Sequence, residues 1–201
     1  MACDKSRNIG IAYTYNEPTV WYEFMLQMAM EAYERGLKNV MVSNGFINTE
    51  PLAQLIEFMH AFSIDLKAFN NDFYKNLTSS RLDPVLKSLQ QIKKSGKHLE
   101  VTNLVIPNQN DEAKEFKEMV NWTANELGPE TVLHISRYYP TYKLNEPPTS
   151  KNTLFEFYEI AKSKLHYVYI GNLRTQTGQD TFCPNCKTTV IIRNGYSTQL
   201  N

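Results

Sequence analysis

Short apolar segments alternate with amphipathic helical segments along most of the 201-residue chain. The strand-like segments are residues 8–13, 39–42, 62–66, 99–106, 132–136 and 166–170. A helical pattern separates each consecutive pair, as shown after the first strand by Val20, Trp21, Phe24, Met25 and Met28. This alternation builds right-handed βαβ units on a parallel sheet. The sequence therefore predicts an α/β fold, with the sheet either open and doubly wound or closed into a whole or partial barrel.

Capping and breaking residues mark the ends of the predicted helices. The expected starts or caps are Pro18, Thr49, Asp83, Asn110 and either Thr149 or Ser150. The expected stops include Gly36, Gly96 and Gly128. His60 ends the second helix, where a cation would interact favourably with the helix dipole.

The charge and cysteine content argue against several classes of protein. Lys and Arg number 21, as do Asp and Glu, so the zero net charge gives no general attraction to nucleic acid or to an anionic membrane. Three cysteines do not make a secreted disulfide framework. No signal-peptide core is visible, and no apolar run approaches the ~18 residues of a spanning helix. We therefore expect a cytoplasmic protein whose function depends on a specific site.

Polar residues follow the predicted strands, where parallel α/β folds place their ligand sites. Glu17, Asp65, Lys67 and Arg137 would share this edge, and together they would suit a ligand that carries both an ammonium and a carboxylate group. The further candidates at the strand ends are Thr14, Asn16, Ser43, Asn44, Asn103, Ser136, Tyr139 and Asn172.

The charged candidates also have purely structural interpretations. Glu17 precedes a helix and could cap it, or it could hold an amine. Asp65 and Lys67 share one face of an extended segment and could form an exposed ion pair worth less than about 1 kcal/mol. Alternatively, Asp65 contacts a ribose or a cation and Lys67 contacts a carboxylate. A buried Lys67 could also form a Schiff base, as in an aldolase.

Cys183 and Cys186 have the C-x₂-C spacing of a zinc knuckle. A tetrahedral zinc site needs four ligands, and the chain has no second C-x₂-C motif. We interpret the pair as half of a structural zinc site whose other ligands lie elsewhere, or as two free surface thiols. Thioredoxin-type redox chemistry is not expected, because no helix begins within the motif.

A series of short motifs occurs in order along the chain. They are IAYTYNEPT at 11–19, VSNGF at 42–46, IDLK at 64–67, LVIP at 104–107 with Asn110 and Asp111, HISRYYP at 134–140, YIGN at 169–172 and FCPNC at 182–186. Together they resemble radical-SAM enzymes of the pyruvate formate-lyase activating type. More narrowly, they resemble the radical-SAM member of the AmmeMemoRadiSam system. The resemblance covers nearly the whole chain.

The resemblance implies a partial (β/α)₆ barrel with S-adenosylmethionine and a [4Fe–4S] cluster as cofactors. The cluster would cleave S-adenosylmethionine reductively to a 5′-deoxyadenosyl radical, which in activating enzymes removes hydrogen from a glycine of a partner protein. Glu17 falls in the segment that holds the methionyl amine, and Ser43 and Asn44 fall in the next ligand segment. Asp65 and Lys67 match a D-x-K segment in which the lysine approaches the methionyl carboxylate.

The chain departs from this family at the cluster. The family's C-x₃-C-x₂-C loop is absent, since Cys3 stands alone and Cys183 and Cys186 have a different spacing. The sequence begins where the family's second strand begins, which predicts a barrel without its first βα unit. Tyr139 stands where many relatives have a histidine.

We therefore expect a partial radical-SAM barrel at residues 1–171 and a C-terminal tail with the knuckle-like cysteines at 172–201. Such a chain is expected to be inactive alone. Its expected partner is a protein substrate or a missing N-terminal segment. Two alternatives remain, a Schiff-base lyase that uses Lys67 and a non-catalytic protein-binding remnant of the same fold.

Overall fold

One sheet contains six parallel strands in the order of the chain. The computed structural model describes residues 8–195 and 197–201. The strands are β1 (Gly10–Tyr13), β2 (Lys38–Ser43), β3 (Ala61–Asp65), β4 (His98–Val105), β5 (Val132–Arg137) and β6 (Val168–Gly171). A strand order without reversal is the winding of a β/α barrel, whereas a doubly wound sheet reverses at a switch point. The predicted α/β fold is confirmed, and the winding is that of the barrel alternative.

Six α-helices are found among the described residues. They are α1 (Tyr22–Glu34), α2 (Thr49–Phe58), α3 (Asn71–Thr78), α4 (Leu82–Lys94), α5 (Ala113–Trp122) and α6 (Lys151–Lys162). A 3-10 turn at Pro18–Trp21 precedes α1, and a π-helical turn at Thr123–Leu127 extends α5. All of these helices were predicted except α3, a short polar helix of eight residues. No helix in the described part of the chain is long and apolar enough to span a membrane.

The chain is divided into two compact units. Unit 1 contains the described residues up to Leu66 together with Ser80–Glu100, and unit 2 contains Lys67–Ser79 and Val101–Asn201. Unit 1 carries the carboxyl ends of β1, β2 and β3, and unit 2 carries those of β4, β5 and β6. Each unit thus has its own strand ends, and each set bears some of the candidate site residues.

The core of unit 1 is organised around a buried amide in β2. Asn39 accepts a hydrogen bond from the Tyr13 hydroxyl at 3.1 Å and donates to the carbonyl oxygens of Ala29 and Phe58. Burial raises the pKa of Tyr13 to about 12, so its hydroxyl remains a donor at neutral pH. These bonds satisfy the buried amide and tie β1 and two helices to β2.

His60 does not have the cationic role that its position after α2 predicted. Its Nδ1 accepts a hydrogen bond from the Asn39 backbone N–H at 3.1 Å, which requires an unprotonated nitrogen. Burial, and to a lesser extent the charges of Lys38 and Lys97, lowers the pKa of His60. The dipole argument was wrong because the ring serves as an acceptor for the neighbouring strand.

Aromatic packing and buried hydroxyls organise the core of unit 2. Phe116 of α5 stacks on Phe157 of α6 with ring centroids 3.9 Å apart. Thr123 is fully buried, and its hydroxyl donates to the Met119 carbonyl at 2.9 Å. Gly128 has a φ of 92° and ends the helical segment, as predicted.

Three predicted helix starts differ from those observed. α4 begins at Leu82, one residue before the predicted Asp83. α2 begins at Thr49, but the residue in its cap position is Asn48. Asn110 is buried before α5, where its amide oxygen accepts from the Ile106 backbone N–H at 2.6 Å. It was misassigned because short polar side chains that cap helices bond to loop backbone equally well. Ser150, one of two predicted caps, does cap α6 by accepting from the Thr153 N–H at 3.0 Å.

The C-terminal segment forms a second, antiparallel sheet. Its strands are β7 (Thr181–Phe182), β8 (Thr189–Asn194) and β9 (Ser197–Leu200), in that order. No strands were predicted here, because the segment is mostly polar and its apolar residues form only one short run. The turn between β7 and β8 carries Cys183 and Cys186.

Candidate functional site

Glu17 is the centre of a hydrogen-bond network at the carboxyl ends of β1 and β2. Its Oε1 accepts from the Thr19 backbone N–H at 3.1 Å, the Thr19 hydroxyl at 3.0 Å and the Ser43 hydroxyl at 2.7 Å. Its Oε2 accepts from the Asn44 backbone N–H at 2.7 Å. A carboxylate oxygen has about two lone-pair directions. The network therefore fixes the half-buried carboxylate and leaves Oε2 able to accept one more donor.

The turn after β2 directs its backbone toward Glu17. The buried Ser43 hydroxyl, which donates to Glu17, also accepts from the Gly45 N–H at 3.1 Å. Gly45 has a φ of +72°, and a Cβ at this position would lie 2.7 Å from Ile64 Cγ2. Both facts require glycine, so the residue keeps the tight turn that presents the Asn44 N–H to the carboxylate.

Three further candidates occupy strand ends of unit 1. Thr14 and Asn16 follow β1, and Asp65 is the last residue of β3. Thr14 and Asp65 are half-buried, whereas Asn16 is exposed. Each lies at the carboxyl end of a strand, where the sequence predicts a ligand.

Lys67 is held through its backbone in unit 2. The side-chain amides of Asn103 and Asn110 both donate to its carbonyl oxygen, the first at 3.0 Å. Its backbone N–H donates to the Tyr74 hydroxyl at 3.2 Å. Asn103 is only 2% exposed within β4, so its amide positions the Lys67 main chain from inside the unit.

Arg137, the last residue of β5, is held by neutral groups. Its Nε donates to the Thr149 carbonyl at 2.8 Å, and an NH donates to the Tyr139 hydroxyl at 3.0 Å. The guanidinium carbon lies 4.8 Å from the Tyr139 ring centroid, which is cation–π range. Asn172 also contacts this group, since its side-chain amide donates a hydrogen bond to the Arg137 carbonyl at 3.2 Å. The structure thus brings together three residues that the sequence placed on two strands.

Ser136 lies beside the close approach of β5 and β6. Its Oγ is 2.7 Å from the position that a Cβ on Gly171 would occupy. Any larger residue at Gly171 would displace the hydroxyl. The absence of a Cβ at Gly171 therefore leaves room for the half-buried Ser136 side chain at the end of β5.

Thr149 was considered only as a helix cap, but it connects several segments of unit 2. Its hydroxyl donates to the Val105 carbonyl at 2.5 Å and accepts from the Tyr138 backbone N–H at 2.9 Å. Its own carbonyl accepts from Arg137, and the residue is completely buried. A single threonine in a polar loop carries no sequence signal for this role, because the role depends on burial.

A cavity of about 660 Å³ opens beside Arg137 in unit 2. Its lining combines three cations with neutral residues: Arg137, Tyr139, Lys151, Asn172, Leu173, Arg174 and Gly195. Lys151 is the first residue of α6, where the helix dipole adds positive potential. The cavity therefore suits an anionic group. Lys151 and Arg174 were not among the predicted residues, since neither lies in a recognised motif.

Cys183 and Cys186 lie on a tight turn. The Cys183 N–H donates to the Thr188 carbonyl at 2.8 Å, and the Lys187 N–H donates to the Cys183 carbonyl at 3.0 Å. Hydrogen bonding with Thr188, and then with Cys183, lowers the pKa of the Cys186 thiol to about 7. Cys3 lies outside the described residues. Within residues 8–195 and 197–201, no three His, Cys, Asp or Glu side chains are grouped as metal ligands.

Comparison with known proteins gives three informative matches. The model of the Radical SAM superfamily matches residues 4–122, more than half of the chain. The uncharacterized protein MJ0808 of Methanocaldococcus jannaschii is 46% identical over 186 residues, which cover 92% of this chain and 55% of that protein. The (2S)-3-sulfopropanediol dehydratase activating enzyme of Klebsiella oxytoca is 21% identical over 119 residues, which cover 59% of this chain and 38% of that enzyme. The chain thus spans about half, or less, of these curated relatives.

The fold also matches a solved structure. A domain of pyruvate-formate lyase-activating enzyme from Bacteroides vulgatus has a TM-score of 0.71 at 16% identity, covering 81% of this chain and 99% of that domain. At this identity the likeness concerns the fold alone. It confirms the partial barrel that the motifs implied.

Proposed function

Since this chain belongs to the radical SAM superfamily, we propose that it is the S-adenosylmethionine-binding portion of an enzyme that activates a partner protein. S-adenosylmethionine and a [4Fe–4S] cluster are the cofactors of this family. An activating enzyme occurs both among the curated relatives and among the solved structures with this fold. The activity is proposed for a longer protein, because the chain covers only 55% and 38% of its two curated relatives.

The observation that carries the proposal is the network around Glu17. Four hydrogen bonds hold its carboxylate and leave Oε2 able to accept another donor. An ammonium group would bind there through a charge-assisted hydrogen bond. In the family resemblance, this segment holds the methionyl amine and Lys67 approaches the methionyl carboxylate. The remaining proposed contacts are Thr14, Asn16, Ser43, Asn44, Asp65, Asn103, Ser136, Arg137 and Tyr139.

Calorimetry with a Glu17→Gln variant tests this assignment. Glutamine keeps the shape but removes the charge, so affinity for S-adenosylmethionine should fall at least ~10-fold, or about 1.4 kcal/mol. Affinity for adenosine, which lacks the methionyl group, should not change. Glu23→Gln, at an exposed site on α1, should bind both ligands like the wild type. Unchanged S-adenosylmethionine affinity in Glu17→Gln would refute the assignment.

The described residues do not fit the family's cluster. Three thiolates are needed to hold three irons, whereas the described residues offer Cys183 and Cys186 on one turn. We therefore propose that the chain is inactive alone and that the cluster ligands belong to another segment of the enzyme. Reconstitution with iron and sulfide should give neither cluster absorbance nor 5′-deoxyadenosine from S-adenosylmethionine. Stoichiometric formation of 5′-deoxyadenosine would contradict this.

We also propose that the partner is a protein, either the substrate or the segment that carries the cluster, and that the chain works in the cytoplasm. The protein partner is supported by the names of one curated relative and one solved structure with this fold, since both are activating enzymes or parts of one. The proposed division at residues 171 and 172 can be tested by limited proteolysis. The first cut should fall between Gly171 and the start of β7, and a first cut inside the six-stranded sheet would argue against that boundary.

Borohydride trapping separates this proposal from the Schiff-base alternative. A lyase that uses Lys67 would be reduced to a stable adduct in the presence of a carbonyl substrate. We expect Lys67 to remain unmodified by mass spectrometry. An adduct at this residue would favour the lyase.

A further inference from the structure

The turn that carries Cys183 and Cys186 has the form of a preorganised two-thiolate ligand. Hydrogen bonds across the turn connect Cys183 to Thr188 and Lys187 to Cys183, at 2.8 and 3.0 Å. Lys187 adopts the left-handed conformation with φ 61°, which closes the turn after the second cysteine. The Cys186 thiol is itself positioned by the hydrogen bond that its Sγ donates to the Thr188 hydroxyl at 3.3 Å. Little conformational freedom is therefore lost when both sulfurs bind one ion.

The chemistry of this pair points to a thiophilic divalent cation. Thiolates are soft ligands that select zinc over magnesium or calcium. A structural zinc ion takes four ligands in a tetrahedron, so one turn supplies only half of the shell. No third metal-ligating side chain joins the pair within the part of the chain that the structure describes. Cys186 is exposed and Cys183 is half-buried, which leaves the sulfurs accessible to another chain.

The sheet beside the turn has an uncovered surface. Val190 and Ile192 lie two residues apart on one face of β8, and these residues are 41% and 40% exposed. β9 is one of the two edge strands of this sheet, and its four residues are all exposed. Exposed edges and apolar faces are sites of association between chains.

We propose that a second copy of this chain completes the site, so that two Cys183–Cys186 pairs hold one zinc ion. Two identical turns related by a twofold axis supply the four sulfurs of a Cys₄ tetrahedron, and the contact closes on itself as an isologous dimer. One Zn²⁺ with four thiolates carries a net charge of −2. Lys187 follows Cys186 directly, so each copy adds one cation beside the site and offsets this charge.

Cobalt provides a direct test. The reduced chain is titrated anaerobically with Co²⁺, which reports tetrahedral thiolate ligation through intense visible and near-ultraviolet bands. Saturation is expected at one metal ion per two chains, with a doubling of the mass measured by light scattering. Added Zn²⁺ should remove the bands and preserve the dimer, and a chelator should return the monomer.

The cysteine variants make the result specific. Cys183→Ser and Cys186→Ser should each abolish the bands and the metal-dependent dimer, while their circular dichroism stays that of the wild type. Cys3→Ser should retain both properties. Saturation at one ion per chain without dimerisation would overturn the proposal, as would an absence of thiolate bands or their loss in Cys3→Ser.

Discussion

The hydrogen-bond networks at the strand ends of the two units differ in the charge of their central residue. In unit 1 the organising group is itself charged, since the Glu17 carboxylate receives four hydrogen bonds from Thr19, Ser43 and Asn44. In unit 2 the organising group is the neutral, buried Thr149. Within the described part of the chain, Arg137 bonds only to neutral oxygens, and it lines a cavity whose other charged residues are also cations.

The difference shows that a charged group at the centre of a hydrogen-bond network must have its lost hydration replaced by protein donors. A carboxylate that loses hydration must recover it from local donors, and Glu17 uses most of its acceptor capacity in this way. A neutral organiser leaves the neighbouring charge available for a ligand. Substitutions at Glu17 should therefore affect stability and binding together, whereas in unit 2 substitutions at Thr149 should affect stability and substitutions at Arg137 should affect ligand binding.

Gly45→Ala should have the largest effect, because the network of Glu17 depends on this turn. The added Cβ meets Ile64 Cγ2 at 2.7 Å, and the φ of +72° disfavours any side chain. We expect a loss of about 2–4 kcal/mol in the free energy of unfolding, measured by urea denaturation. Gly36→Ala is the matched control, since its φ is +75° but no atom lies within 4 Å, and it should lose about 1 kcal/mol. Equal losses would show that close packing at Gly45 is unimportant.

Thr149→Val should have the next largest effect, because it removes the neutral organiser of unit 2 without changing its shape. The Val105 carbonyl and the Tyr138 N–H would both lose their partner in a buried position. We expect a loss of about 1–3 kcal/mol in unfolding free energy. Thr198→Val in the exposed strand β9 should change it by less than about 0.5 kcal/mol. If Thr149→Val were as stable as the control, the hydrogen bonds of the Thr149 hydroxyl would not be what stabilises unit 2.

Glu17→Gln and Arg137→Gln should each lose less unfolding free energy than the two variants above, and comparing them tests the difference between the units directly. Glutamine at position 17 presents an NH₂ group to one of the present donors, which should cost about 1–2 kcal/mol of unfolding free energy. Glutamine at position 137 can still donate to a neighbouring carbonyl, so its loss should stay below about 1 kcal/mol. Both values come from the same urea titration. A larger loss for Arg137→Gln would reverse the distinction drawn between the two units.

The sequence was most informative where a role depends on charge or on strand position. Glu17, Ser43 and Asn44 were predicted because they follow consecutive strands, and the structure joins them directly. Asn39 and Thr149 were missed, since their roles arise from burial and from partners in other segments. The same limit explains His60, whose position suggested a cation while its hydrogen bond to Asn39 requires a neutral ring.

Protonation of His60 would place a positive charge in unit 1 without a hydrogen-bond acceptor among the described residues to compensate it, and we expect this to reduce stability at low pH. Burial, followed by Lys38 and Lys97, lowers its pKa below the ordinary value of 6.5, so the unfolded chain takes up the proton first as the pH falls. Stability is then lost progressively from about pH 6.5 downward, until the folded protein is protonated as well. Protonation of Nδ1 also removes the acceptor for the Asn39 N–H.

His60→Gln keeps an acceptor but does not titrate, so its unfolding free energy should fall less between about pH 7 and 5 than that of the wild type. His166→Gln, at an exposed position in unit 2, should keep the wild-type dependence. If His60→Gln loses stability as steeply as the wild type, the neutral ring contributes nothing to the acid sensitivity of unit 1.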